Sequence, residues 1–154
     1  MSEGPLVKGN PLRISVYALL LCYIIGEFIL PKYPLIYIIN LIGITGLIIS
    51  LIFFFSGFEI FKSYKENPVP TSASKRLIKT GIFAYTRNPI YLSFVLFHFS
   101  MFLVFENVMY FLTSIILFIW INNYVIKPEE EYLTNTFGDE YIRYKEAVSK
   151  WIIF

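Results

Sequence analysis

Apolar runs and polar segments alternate along the chain. Residues 12–30 and 35–58 are almost wholly apolar. As helices rising about 1.5 Å per residue, each is long enough to cross a hydrocarbon core of about 30 Å. Pro31 and Pro34 end the first run and turn the chain around Lys32. Residues 62–88 are polar, with Pro68, Pro70 and several Ser and Thr, and read as a loop. Residues 90–105 are apolar but short, reaching only about 24 Å as a helix. Glu106 and Asn107 then make a minimal turn before a full-length run over 108–126. These two runs predict a tight antiparallel hairpin, its shorter arm sunk into the protein or extended at its start. In the polar tail, 127–154, Leu133, Phe137, Tyr141, Tyr144 and Val148 recur every three or four residues, which predicts a helix with one apolar and aromatic face. Gly138 weakens or breaks that helix. Trp151, Ile152, Ile153 and Phe154 suit a return to the bilayer interface. The expected fold is all-α and integral to the membrane, a single domain over 1–154. It has four transmembrane helices, about 12–30, 35–58, 89–105 and 108–126, ending in a C-terminal helical hairpin.

Composition agrees. Charged residues are 16% of the chain, against roughly 25% in soluble domains, and the mean hydropathy is +0.63. A net charge of +2 is too small to suggest nucleic acid as a partner. One His and one Cys make no His/Cys metal site. Residues 1–11 lack a small-residue cleavage site and read as a retained tail. Of 13 Lys and Arg, only Lys32 falls on the far side of a four-span arrangement. The positive-inside rule then places both termini, the 62–88 loop and the 127–154 tail in the cytoplasm. The membrane is the plasma membrane in a prokaryote and the endoplasmic reticulum in a eukaryote.

Several residues carry candidate chemistry. Gly43, Gly46 and Ser50 form a small-residue face that lets another helix approach. Glu27 and Glu59 lie near predicted span ends, where reaching water is the simpler role. His98 lies inside the short arm, and a hydrogen-bonded structural role outweighs proton carriage. The sequence is organised around residues 75–91, a basic loop leading into the third run. Asn88 is a good N-cap and Pro89 fits the first helical position, so a helix is predicted from Pro89. Its free N–H groups and positive dipole end are a natural anion site. With both polar segments on one face, Tyr85, Arg87, Asn88, Tyr91, Glu129, Glu130, Tyr141 and Tyr144 are expected to gather there. These residues predict a cytoplasmic polar site at the membrane surface. A small transporter fits less well, for lack of polar mid-membrane faces.

Two motifs carry a family resemblance. Gly81-x-Phe83-x-x-x-Arg87-Asn88-Pro89-x-Tyr91 resembles the G-x-Y-x-x-x-R-H-P-x-Y pattern of isoprenylcysteine carboxyl methyltransferases. Glu129-Glu130-x-x-Leu133-x-x-x-Phe137-Gly138-x-Glu140-Tyr141-x-x-Tyr144 resembles their second motif. The wider group includes phospholipid methyltransferases, and the resemblance covers roughly residues 75–151. It implies S-adenosylmethionine as cofactor, held by Lys75, Arg76, Leu77, Ile78, Phe83, Asn88, Pro89, Ile90, Tyr91 and Glu129. Arg87 and Glu130 position substrate, or either is simply a structural ion-pair partner. The implied acceptor is lipophilic or amphipathic and arrives from the bilayer; phospholipid or amine N-methylation, and a non-catalytic membrane protein retaining the fold, are the alternatives. The chain departs from the pattern at three places: Phe83 stands for a tyrosine, Asn88 for a histidine, and Val125 for an arginine that helps hold the acceptor carboxylate.

Overall fold

The computed structural model describes residues 4–32 and 34–152. All regular structure in them is helical. Helix α1 is Pro11–Phe28, α2 is Tyr37–Ser63, α3 is Pro89–Phe105 and α4 is Val108–Ile121. A π-helical segment, Asn122–Ile126, continues α4 into α5, Lys127–Phe137. Helix α6 is Asp139–Ala147. By length and apolarity α1, α2 and the continuous stretch Val108–Phe137 can cross a membrane, whereas α3 has only 17 residues. The expected return of Ile153 and Phe154 to the interface lies outside the described residues.

Local chemistry sets the boundaries. Asn10 caps α1, its side chain accepting from the Arg13 amide at 3.2 Å. Asn107 caps α4 through the Met109 amide at 2.9 Å. The two-residue turn before α4 works because Glu106 takes a left-handed conformation, φ 58°. The Glu106 carboxylate then accepts from the Leu35 amide at 3.0 Å and from Asn40 Nδ2 at 3.3 Å. At the same end of the bundle Glu27 pairs with Lys32 at 2.9 Å, while Glu59, at the opposite end of α2, is exposed, so neither acid is enclosed. Gly138, φ 53°, separates α5 from α6.

Helix α3 is central, touching α1, α2 and α4. It packs along α4, the other arm of its hairpin, and more extensively along α2. The small-residue face explains this preference. A Cβ at Gly43 would stand 2.8 Å from Leu103 Cβ, and one at Gly57 would stand 2.6 Å from Ile90 Cγ1. One at Gly46 would collide with Ser100 Oγ. The two backbones thus approach antiparallel along one stripe. His98 is fully buried on α3 and its Nδ1 lies 2.8 Å from the Phe94 carbonyl, the structural role expected, although Nε2 has no partner among the described residues. Under the polar end of the bundle, Phe94, Leu117, Ile121, Val125, Ile126 and Trp151 form the buried core.

Candidate functional site

A pocket opens at that polar end, where the start of α3, the end of α2, the 66–78 loop, α5 and α6 meet. It is a partly open cleft with a cavity volume of about 120 Å³. Of the ten residues assigned to the cofactor, nine line it: Arg76, Leu77, Ile78, Phe83, Asn88, Pro89, Ile90, Tyr91 and Glu129. Lys75 does not; its amide donates to Glu66 Oε2 at 3.3 Å instead. Arg87, Glu130, Tyr141 and Tyr144 also line the pocket, whereas Tyr85 is exposed and stands apart.

The π-helical segment precedes α5 and changes which way its residues face. A wider turn shifts the helical register, so Val125 and Ile126 enter the core while Glu129 reaches the pocket. Tyr91 donates to Glu129 Oε1 at 2.9 Å. The residue keeps some exposure towards the pocket, but its carboxyl is enclosed by protein. Desolvation pushes the Glu129 pKa up to about 8; the Tyr91 hydrogen bond pulls it down and the neighbouring Glu130 charge raises it.

Glu130 is treated differently. It accepts from Arg87 at 2.9 Å and lies 3.4 Å from the Lys150 ammonium. The Arg87 side chain is nine-tenths buried, and it also donates to the Lys145 carbonyl at 3.1 Å. Its Nε is buried without a partner, an orphan donor of the kind that a ligand or water completes. Of the two readings of Arg87 and Glu130, the ion pair is the one the geometry displays. Arg87 and Lys150 are thereby both spent on Glu130, while Glu129 takes part in no ion pair among the described residues.

The aromatic wall is fixed from behind. Tyr144 donates to the Phe83 carbonyl at 2.7 Å, so the second motif holds the first through its backbone. Burial raises the Tyr141 and Tyr144 pKa values well above the usual range, the Arg87 charge opposing this in both, so both hydroxyls stay protonated. Phe61 meets Phe83 edge-on at 5.6 Å.

Asn88 departs from expectation in one respect. It occupies the N-cap position of α3, but its side chain accepts no hydrogen bond from that helix. The amide is occupied elsewhere, Nδ2 donating to the Lys150 carbonyl at 3.0 Å. Val125 is fully buried in the core, away from the pocket. Lys127, the cation nearest to it in sequence, does not line the pocket either.

A model of the phospholipid methyltransferase family matches residues 38–140, more than half of the chain. The chain belongs to that family. The match spans α2 to the start of α6 and includes the whole first motif and the second as far as Glu140, so the resemblance drawn from them holds at the family level. An uncharacterized protein of Haemophilus influenzae is 41% identical over 63 residues, which are 41% of this chain and all of that protein. The family's chemistry is methyl transfer, and the apolar helices mark this member as an integral membrane protein. Sequence reasoning missed the pocket's outer wall, Pro5 and the Glu66-Asn67-Pro68-Val69-Pro70 loop, as well as Tyr132. Nothing in a Pro-rich polar loop distinguishes a wall from a linker.

Proposed function

We propose that the chain is an S-adenosylmethionine-dependent methyltransferase acting on a lipophilic amine at the cytoplasmic face of the membrane. The observation that carries this reading is Glu129: an enclosed carboxyl that opens the second motif, left without a cation and bonded to Tyr91 of the first. The residues present suit the cofactor. Glu129 accepts from its ammonium or ribose hydroxyls. Phe83, Tyr91, Tyr141 and Tyr144 offer faces that attract a cationic sulfonium. Backbone N–H groups at the start of α3 suit its carboxylate. When bound, S-adenosylmethionine supplies an activated methyl group. The chain's own part is to align that methyl with the acceptor and to exclude water, which needs no covalent intermediate with a side chain.

An amine acceptor is favoured over a carboxylate, the isoprenylcysteine-like alternative, by what surrounds position 125. A valine locked in the core holds no carboxylate, and Arg87 is committed to Glu130. The acceptor nitrogen must arrive without its proton to attack. Entry from the bilayer fits a pocket that abuts Phe61 and Ile90 at the ends of apolar helices.

Calorimetric titration of detergent-purified protein with S-adenosylmethionine and its demethylated product tests the cofactor. Failure of both to bind at millimolar concentration in several lipid conditions overturns the reading. In a methylation screen, long-chain lipid amines are expected to outperform their water-soluble headgroups and lipophilic carboxylates. Equal turnover of the soluble fragments would count against lateral entry.

Four spans with both termini cytoplasmic complete the proposal, α3 crossing despite its length because neighbouring helices shield it. Cysteines placed at the exposed Ala73 and Asn135 should be labelled from the cytoplasm, and one at Lys32 from outside. The native Cys22 is buried and should stay silent. Labelling of Ala73→Cys and Asn135→Cys from opposite sides would break both the span count and the shared site.

A further inference from the structure

The chain beyond α6 returns to the first motif and fastens there. Ser149 O accepts from the Arg87 amide at 3.0 Å. Lys150 O accepts twice, from Thr86 Oγ1 at 3.0 Å and from Asn88 Nδ2 at 3.0 Å. The Lys150 ammonium meanwhile reaches Glu130 of the second motif at 3.4 Å. Thr86 is fully buried and also accepts from the Asn88 amide at 3.2 Å. Next along, Trp151 is buried in the core against Phe118, ring centroids 5.0 Å apart. One residue, Lys150, therefore touches both walls of the pocket, through its carbonyl on one side and its ammonium on the other. Their C-terminal partners, Ser149 to Trp151, lie outside the family-matched stretch, which stops at residue 140.

We propose that Asn88 is a positioning residue, whose amide donor on the Lys150 carbonyl holds the C-terminal segment, and with it the Lys150–Glu130 contact, in register with the start of α3. A carbonyl partner demands a donor at the δ position and nothing that titrates. Asparagine supplies this with Nδ2. The family's histidine has Nδ1 at the same distance along the side chain and can supply it too. Position 88 is then a fastening shared by both residue types, and asparagine here is no lesion. This inference rests on the methyltransferase reading for its functional half; the fastening itself does not.

Three variants separate the possibilities. Asn88→Asp keeps a good N-cap and nearly the same shape but sets an acceptor against a carbonyl. Asn88→Leu removes donor and acceptor together. Asn88→His restores a donor. Hydrogen exchange in detergent, followed at the Arg87 amide and over residues 148–152, reads the fastening without any ligand. Asn88→Asp and Asn88→Leu should speed exchange there about tenfold and weaken S-adenosylmethionine binding by roughly the same factor. Asn88→His should recover most of both losses, and its methylation rate should show no new ionisation near the ordinary histidine value of about 6.5. Unchanged exchange in Asn88→Asp overturns the inference, as does an Asn88→His variant that behaves like Asn88→Asp. A new ionisation in Asn88→His with a faster rate overturns it differently, by showing that position 88 is an acid–base site. If exchange responds as stated while the parent binds no S-adenosylmethionine, the fastening stands and the proposed function falls.

Discussion

Glu129→Gln should lose cofactor affinity about ten- to 150-fold, the worth of one charge-assisted hydrogen bond, roughly 1.5–3 kcal/mol. Glutamine is the informative replacement because its carbonyl can still accept from Tyr91, 2.9 Å away in the parent. Alanine would also strand the Tyr91 hydroxyl, adding an unrelated penalty. Glu131→Gln, on an exposed side chain outside the pocket, should change little. The pH dependence gives a second, independent signature. With its pKa pushed up to about 8, Glu129 is mostly neutral in the empty site at pH 7. A cationic ligand binds the ionised form, so binding releases close to one proton at pH 7. Affinity should rise by nearly tenfold between about pH 6 and 7, and flatten near 8, where the ligand's own α-amino group, with a reference value of about 7.7–8.0, begins to lose its charge. Titrations in buffers of different ionisation enthalpy measure the released proton directly. Glu129→Gln should release none and show no rise over the same interval. A parent protein that binds equally at pH 6 and 7 with no proton release would show that Glu129 does not meet the cation.

What the sequence discloses and what it hides follow from the solvent. A bilayer interior is as apolar as a protein core, so lipid-facing and buried positions carry the same residues and leave no periodic signal. Helix α2 exposes Ile48 and Ile52 and turns Gly43, Ser50 and Gly57 inwards, the reverse of a soluble helix. Apolar run length therefore located the helices, while the small residues pointed to a close partner without saying which. The site was more legible than the packing, because its residues are constrained by chemistry at fixed spacing. Glu129, Tyr91 and Asn88 do border one pocket. What they do there was only half visible: the Arg87–Glu130 pair and the Asn88–Lys150 bond join residues 43 and 62 positions apart, and spacing alone encodes neither. The π-helical segment left no mark, since Asn122-Asn123-Tyr124 reads as an ordinary polar end to a span.

Gly57→Leu should unseat the pocket from beneath. A Cβ at this position stands 2.6 Å from Ile90 Cγ1 and 3.8 Å from Pro89 Cγ, so α2 touches the first turn of α3 with no room between. Ile90 and Pro89 both line the pocket, and Asn88 immediately precedes them. A leucine must push that turn away or bend α2, and overpacking of this kind costs about 1–3 kcal/mol. For a chain of this size that lowers the melting midpoint in detergent by roughly 2–12 °C. Gly57→Ala, which asks only for a shift of the Ile90 side chain, should fall between leucine and the parent. Ile52→Leu, on the exposed face of the same helix, should leave the midpoint where it is. The cofactor arm separates local displacement from general weakening. At a temperature well below its midpoint, Gly57→Leu should still bind S-adenosylmethionine at least about tenfold more weakly than the parent, since a displacement of about 1 Å can cost a factor of 10² in a site that works by alignment. Weakened melting with unaltered affinity would mean that α3 yields elsewhere, and that its first turn does not depend on α2 for its position.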